Sequence, residues 1–452
     1  MAQTAGRMID LPRARGAGAE AAPGRPSDAY RMSRAIVLVL LLVALDVRNF
    51  LILGFGGGSS ADRYLVLLVP IATVTLIRMG SPSSRIRKPA PTDLPLLLLV
   101  LLALPGTLSN LGRSSTILPF LMAVAMGFMY LATVQPISEA EARRIARGLT
   151  VVGLAYAVLA SAGYSGVMPW IVEGLAFRNL KLFLLAMGVA GAITFRWKLA
   201  SLLLIPATVI VFRGYPSATF VLVAFVTTIA LFVTRREAGT ARLYMALMIC
   251  LGIGLIATLS IDRSVALTTS YFASVGKLNN NVTRIALWQS GTQKFLQSPL
   301  YGDLFYGPTT ASIWIQHPPY APYPFNAPLH NDFLLLLSNG GVVSLGLFLL
   351  WAGGANVVAF RRYRGLVLAG RPESTRLVRI LLVGFNSWLC VAMFNPVLQE
   401  VGTAAVLVGL YAIIMMVGTP VTRSSQDPGL GRAGPGLRPW SPEWNARWRA
   451  ER

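Results

Sequence analysis

Twelve apolar runs divide this chain, and a chain so divided has few ways to fold. In lipid each run must satisfy its own backbone, which a membrane-spanning helix does. The runs lie at about 35–54, 63–78, 94–109, 116–134, 148–168, 180–195, 199–212, 217–234, 243–261, 332–355, 377–395 and 400–419. Several fall short of the ~20 residues that a ~30 Å hydrocarbon core takes. Short runs beside Gly and Pro fit either helix ends tucked into a protein-lined cavity or boundaries displaced by a few residues. With 54% hydrophobic and 13% charged residues, the composition agrees with a lipid solvent. The expectation is an all-α polytopic membrane protein of about 12 transmembrane helices.

The formal net charge of +22 would suggest nucleic acid in a soluble protein, so its distribution decides the matter. With the N-terminus placed in the cytoplasm, 30 of the 40 Lys and Arg fall in the tails and cytoplasmic loops. That asymmetry follows the positive-inside rule, puts both termini in the cytoplasm and leaves no need for nucleic acid. Residues 1–34 read as a disordered cytoplasmic tail, since they are rich in Ala, Gly, Pro and Arg and hold no signal-peptide core. Helices 1–9 then occupy 35–261, one large extracytoplasmic loop 262–331, helices 10–12 332–419, and a second disordered tail 420–452. Cys250 and Cys390 sit inside apolar runs and read as small buried side chains.

Loop 262–331 is the one connection long enough to form structure of its own, and it holds both histidines, His317 and His330. Its first half reads as a helix that opens near Asn281, a candidate N-cap, and ends before Pro299. Arg284 and Trp288, four residues apart, would share a face of it. The second half, Tyr301 to Pro328, is rich in Pro and aromatics and reads as a stiff irregular segment, neither helix nor hairpin.

His330 opens an apolar helix at the outer side, with Pro328 fitting its start. The positive end of a helix dipole disfavours imidazolium, so this ring would be a neutral base, or else a simple helix cap. Arg213, in FRGYPSAT, stands at an outer membrane boundary, where an arginine either snorkels to water or lines a wet cavity. Arg178, in FRNLKLF, carries the same two readings. An arginine pair offers planar donors to a diphosphate, and a neutral histidine offers a base for a hydroxyl. Together they suit transfer of a sugar from a lipid-linked diphosphate. The outer loops lack a DxD-type carboxylate pair, so arginines would take the place of a divalent cation and no metal or other cofactor is expected.

The passages TRIALWQSGTQKFLQSPLYG and APLHNDFLLLLSNGG resemble the two loop motifs of the O-antigen ligase superfamily, which also holds Wzy-type polysaccharide polymerases. VIVFRGYPSATFVLVAF is similar to the family's arginine stretch before a membrane helix, with Phe212 where serine is common. The resemblance implies a GT-C-like membrane fold in the bacterial inner membrane with the site facing the periplasm. It implies that Arg213 and Arg284 bind the diphosphate of an undecaprenyl-diphosphate-linked glycan donor. His330 would activate the hydroxyl of a glycan or lipid A core acceptor, in a metal-independent inverting displacement. Arg178, Trp288 and Asn331 are further candidates for substrate binding, the last two with plain packing roles as the alternative. The spacings favour a ligase over a polymerase. Rivals from other classes are a secondary transporter using Asp46 and Arg48, and a non-catalytic scaffold.

Overall fold

Ser138 shows how local sequence sets the helices. Its hydroxyl accepts from the N–H of Glu141 while the Glu141 carboxylate accepts from the N–H of Ser138 at 2.9 Å, a reciprocal cap. The helix it opens, α2 (Glu139–Tyr164), therefore begins well before the apolar run at 148. In the computed structural model the described residues are 85–86, 90–110, 117–118, 120–125, 133–134, 137–167, 181–214, a few positions between 219 and 230, 278–315, 323–399 and 401–417. Both tails, the first two apolar runs, the run at 243–261 and the first part of the loop lie outside them, as do Asp46, Arg48, Arg178, Cys250 and His317.

The other elements are α1 (Asp93–Ser109), α3 (Leu182–Thr194), α4 (Lys198–Gly214), α5 (Leu278–Gln297), α6 (Asp332–Leu368), α7 (Pro372–Ala392) and α8 (Val401–Met416). Two short ladders accompany them, β1 (Arg85–Ile86) with β2 (Thr133–Val134), and β3 (Thr310–Ile315) with β4 (Tyr323–Pro328). Among the described residues three helices, α2, α6 and α7, are long and apolar enough to cross a membrane. The chain is a membrane protein. Helix α7 is the axis of the bundle: it is buried from Ile380 to Ala392 and packs against α2, α3, α6 and α8.

Helix α3 has only 13 residues, yet it is buried almost throughout, between α2 and α7. A helix shielded by protein need not match the lipid thickness. Small residues let it come close. A Cβ on Gly153 of α2 would collide with the backbone of α3 at Gly188, and one on Gly191 with the side chain of Thr150.

Contacts sort the helix ends into two sets. At one end Glu139 accepts from the N–H groups of Glu373 (2.9 Å) and Ser374 (3.2 Å), so α2 caps α7. There too Arg143 and Arg376 pair with Glu373, and Arg362 donates to the Ile414 carbonyl. Helices α6 and α7 run on past their apolar stretches, so the basic stretch 361–379 is mostly helix, with a connection of only 369–371. Long arginine stems make such extensions compatible with a membrane boundary.

Two local expectations fail. Asn281 lies inside α5, which starts at Leu278. The Pro-rich half of the loop does contain a hairpin, with Thr310 opposite Pro328 and Trp314 opposite Pro324. Both strands are edges of a two-stranded ladder, and an edge tolerates proline where its missing N–H would point away from the partner.

Candidate functional site

Opposite the Glu139–Glu373 end, β4 leads through Leu329 into His330 and then α6. His330 has φ = +53°, a left-handed conformation, and is part-buried. It is fixed from both sides. The Trp288 indole of α5 donates to the carbonyl of Leu329 at 2.7 Å. Asn331, 2% exposed, is the N-cap of α6, its Oδ1 accepting from Leu334 N–H at 3.0 Å. That bond gives Asn331 a capping role, and the helix proper begins at Asp332, four residues after Pro328. Arg284, part-buried, stands one turn before Trp288, so the arginine's helix is fastened to the histidine's loop.

A five-residue turn after α7, Phe394 to Leu398, gathers the other pieces. The Phe394 ring packs on Trp288, with centroids 6.5 Å apart. Leu398 N–H donates to the buried carboxylate of Asp332 at 2.8 Å. Asn395 Nδ2 reaches Thr219 Oγ1 at 3.4 Å, and Thr219 ends the FRGYPSAT passage. The segments carrying Arg213, Arg284 and His330 thus all meet this turn. Arg213 itself lies in the last turn of α4, with its side chain outside the described part of the structure.

The two loop motifs form one structural unit. Helix α6 is broken at Gly341 (φ +64°, ψ −168°), which frees backbone groups of the helical ladder. The PLYG passage takes them up. Val342 N–H donates to the Pro299 carbonyl (2.9 Å), Val343 N–H to that of Leu300 (3.2 Å), and the Asn339 carbonyl accepts from Phe305 N–H (3.1 Å). Backbones approach so closely that a Cβ on Gly302 would strike Asn339, and one on Gly341 would strike Leu300. The C-terminal end of α1 closes the unit, with Asn110 Nδ2 donating to the carbonyls of Phe305 (2.9 Å) and Tyr306 (2.8 Å).

Sequence reasoning overlooked the 394–398 turn, whose polar member, Asn395, is small and set among apolar neighbours. A second overlooked group surrounds Lys294. Its ammonium pairs with Asp303 at 2.8 Å and donates to the Pro308 carbonyl at 2.9 Å and to Asn339 Oδ1. Lys181, at the head of α3, is 2% exposed, a burial that its neighbours in sequence do not announce. Among the described residues no cluster of three or more His, Cys, Asp or Glu is placed to hold a metal ion.

Residues 200–349 match a protein-family model described as O-antigen ligase. The match begins within α4, takes in Arg213, Arg284 and His330, and ends past the break at Gly341. No curated protein matches the chain. Members of the family are membrane glycosyltransferase-like enzymes, ligases and polymerases. Over residues 200–349, then, this membrane protein is similar to the O-antigen ligase family.

Proposed function

We propose that the chain transfers a glycan from undecaprenyl diphosphate to an acceptor hydroxyl, at the end of the bundle that carries His330. The observation that carries this reading is the common contact of three segments, those of Arg213, Arg284 and His330, with the turn 394–398. In the proposed step the His330 imidazole takes the acceptor's hydroxyl proton. The oxygen forms a bond to the anomeric carbon as the bond from that carbon to the diphosphate oxygen breaks, with inversion. Undecaprenyl diphosphate leaves with the electron pair, its charge met by the guanidinium groups of Arg213 and Arg284. A diphosphate departs without needing a proton, so one base suffices where a glycosidase needs two carboxylates. The arginines supply the charge stabilisation, which makes the displacement metal-independent.

The Arg-rich end marked by Glu139 and Glu373 faces the cytoplasm in this proposal, and the His330 end the periplasm, with both termini inside. Acceptor choice defines the enzyme as a ligase, with a lipid A core as the acceptor. Replacing His330 by Ala is expected to abolish transfer in a membrane assay while leaving donor binding intact; full activity of that variant would falsify the role of the base. Lengthening of the lipid-linked glycan with no core acceptor present would instead identify a polymerase.

A further inference from the structure

Next to Leu329 lies a cleft of about 450 Å³ between α5, β3 and the short first part of α6. Ser290, Lys294, Thr309, Thr310, Ser338 and Asn339 supply its polar wall. Leu329, Gly291 and Ala311 supply an apolar one. Leu329 is the residue before His330, so the wall of the cleft and the proposed base share one loop.

The chemistry of the cleft selects an uncharged, hydroxyl-bearing ligand. Among the described residues that line it the one cation is already compensated, since Lys294 is paired with Asp303 at 2.8 Å and also donates to Asn339 and Pro308. An anion would have to break that arrangement to reach the ammonium, and leave a carboxylate without its partner. Hydroxyl groups both donate and accept, and three of them belong to the lining residues Ser290, Thr309 and Thr310. Apolar and polar lining together suit a sugar ring, with its C–H face and its rim of hydroxyls. The volume lies in the range of small-molecule sites. The cleft is also held in shape. Asn339 is fixed by Leu335 and Ser338 through Nδ2, and Gly307 leaves the room in which Asp303 and Lys294 meet.

We propose that this cleft is a saccharide subsite that holds one sugar residue next to the point of transfer. The proposal rests on the glycan-transfer reading above, and the sugar comes from the donor glycan or from the acceptor. The test uses the full chain in phospholipid nanodiscs, with glucose, galactose, mannose and N-acetylglucosamine as free probes in saturation-transfer NMR. At least one sugar is expected to give a signal in the wild type, reduced about tenfold by Ser290→Trp and by Thr310→Trp, which fill the cleft from two different elements, α5 and β3. Both variants should retain binding of undecaprenyl diphosphate, which also shows that they fold.

Absence of any sugar signal in the wild type, or signals unchanged in both variants, overturns the subsite. Transfer kinetics with native membrane extracts then name the source. A KM raised about tenfold for the lipid-linked glycan assigns the sugar to the donor, and one raised for the core assigns it to the acceptor. Both KM values unchanged overturn the proposal. If undecaprenyl diphosphate fails to bind the wild type, the glycan-transfer reading fails, while the sugar signals still decide the cleft on their own.

Discussion

His330 holds a backbone conformation that costs a bulky side chain about 1–3 kcal/mol unless its surroundings impose it. Here they do, through Trp288 on Leu329 and the cap at Asn331. Asparagine tolerates the same conformation, so His330→Asn is expected to fold with an unchanged melting temperature and yet lose transfer, which separates the imidazole from the loop. Trp288→Phe keeps the ring against Phe394 but removes the donor to the Leu329 carbonyl. A lost buried hydrogen bond of this kind costs about 1–3 kcal/mol. Thermal unfolding should show the loss, and kcat should fall while donor affinity is kept. His330, Arg284 and Trp288 were legible in the sequence because they are the rare polar or aromatic members of recognisable passages. Asn395 and Thr219 were not. Each is a small polar residue in an apolar stretch, and only tertiary contact reveals that they join the segments of Arg213 and His330.

Among the elements, α6 shows best what the sequence withholds. Its apolar run reads as one helix, but the glycines at 340 and 341 mark a break that the PLYG passage must repair. Gly302→Ala and Gly341→Ala are each expected to cost about 1–3 kcal/mol in backbone strain alone. The collisions with Asn339 and Leu300 add to this, so the yield of folded protein should drop sharply. Gly346, five residues on in the same helix, is the control. A Cβ there meets nothing within 4 Å, so Gly346→Ala should be neutral or gain up to about 1 kcal/mol from helix propensity, read as an unchanged or higher melting temperature. The hairpin β3–β4 was illegible for a different reason: prolines argue against a strand in general, but not against an edge. The helix starts at Glu139 and Pro372 were hidden because apolar patterning locates the apolar part of a helix and not its polar first turns.

At the scale of the whole molecule, the two ends of the bundle differ in kind. One collects Arg143, Arg376 and Glu373 around the capped start of α7; the other collects the loop, its hairpin and the turn 394–398. Thiol labelling can orient them. In a chain with Cys250 and Cys390 replaced by Ala, Tyr306→Cys should react with an impermeant maleimide in spheroplasts. Arg371→Cys should react only after permeabilisation. Both positions are exposed, so the reverse pattern would invert the orientation and with it the periplasmic site. The alternation of basic loops carried this expectation from the start, since charge is a property of sequence, whereas the contacts that close the site are not.

The break at Gly341 has a consequence for how the protein is made. Its freed backbone groups find their partners in residues 299–305, which emerge from the ribosome earlier and, in the proposed orientation, have already been exported when the second part of α6 enters the bilayer. Insertion of that span and folding of the exported loop are therefore one event. A nascent chain stopped just after Gly341 carries an exported loop whose Pro299 and Leu300 carbonyls still await the N–H groups of Val342 and Val343.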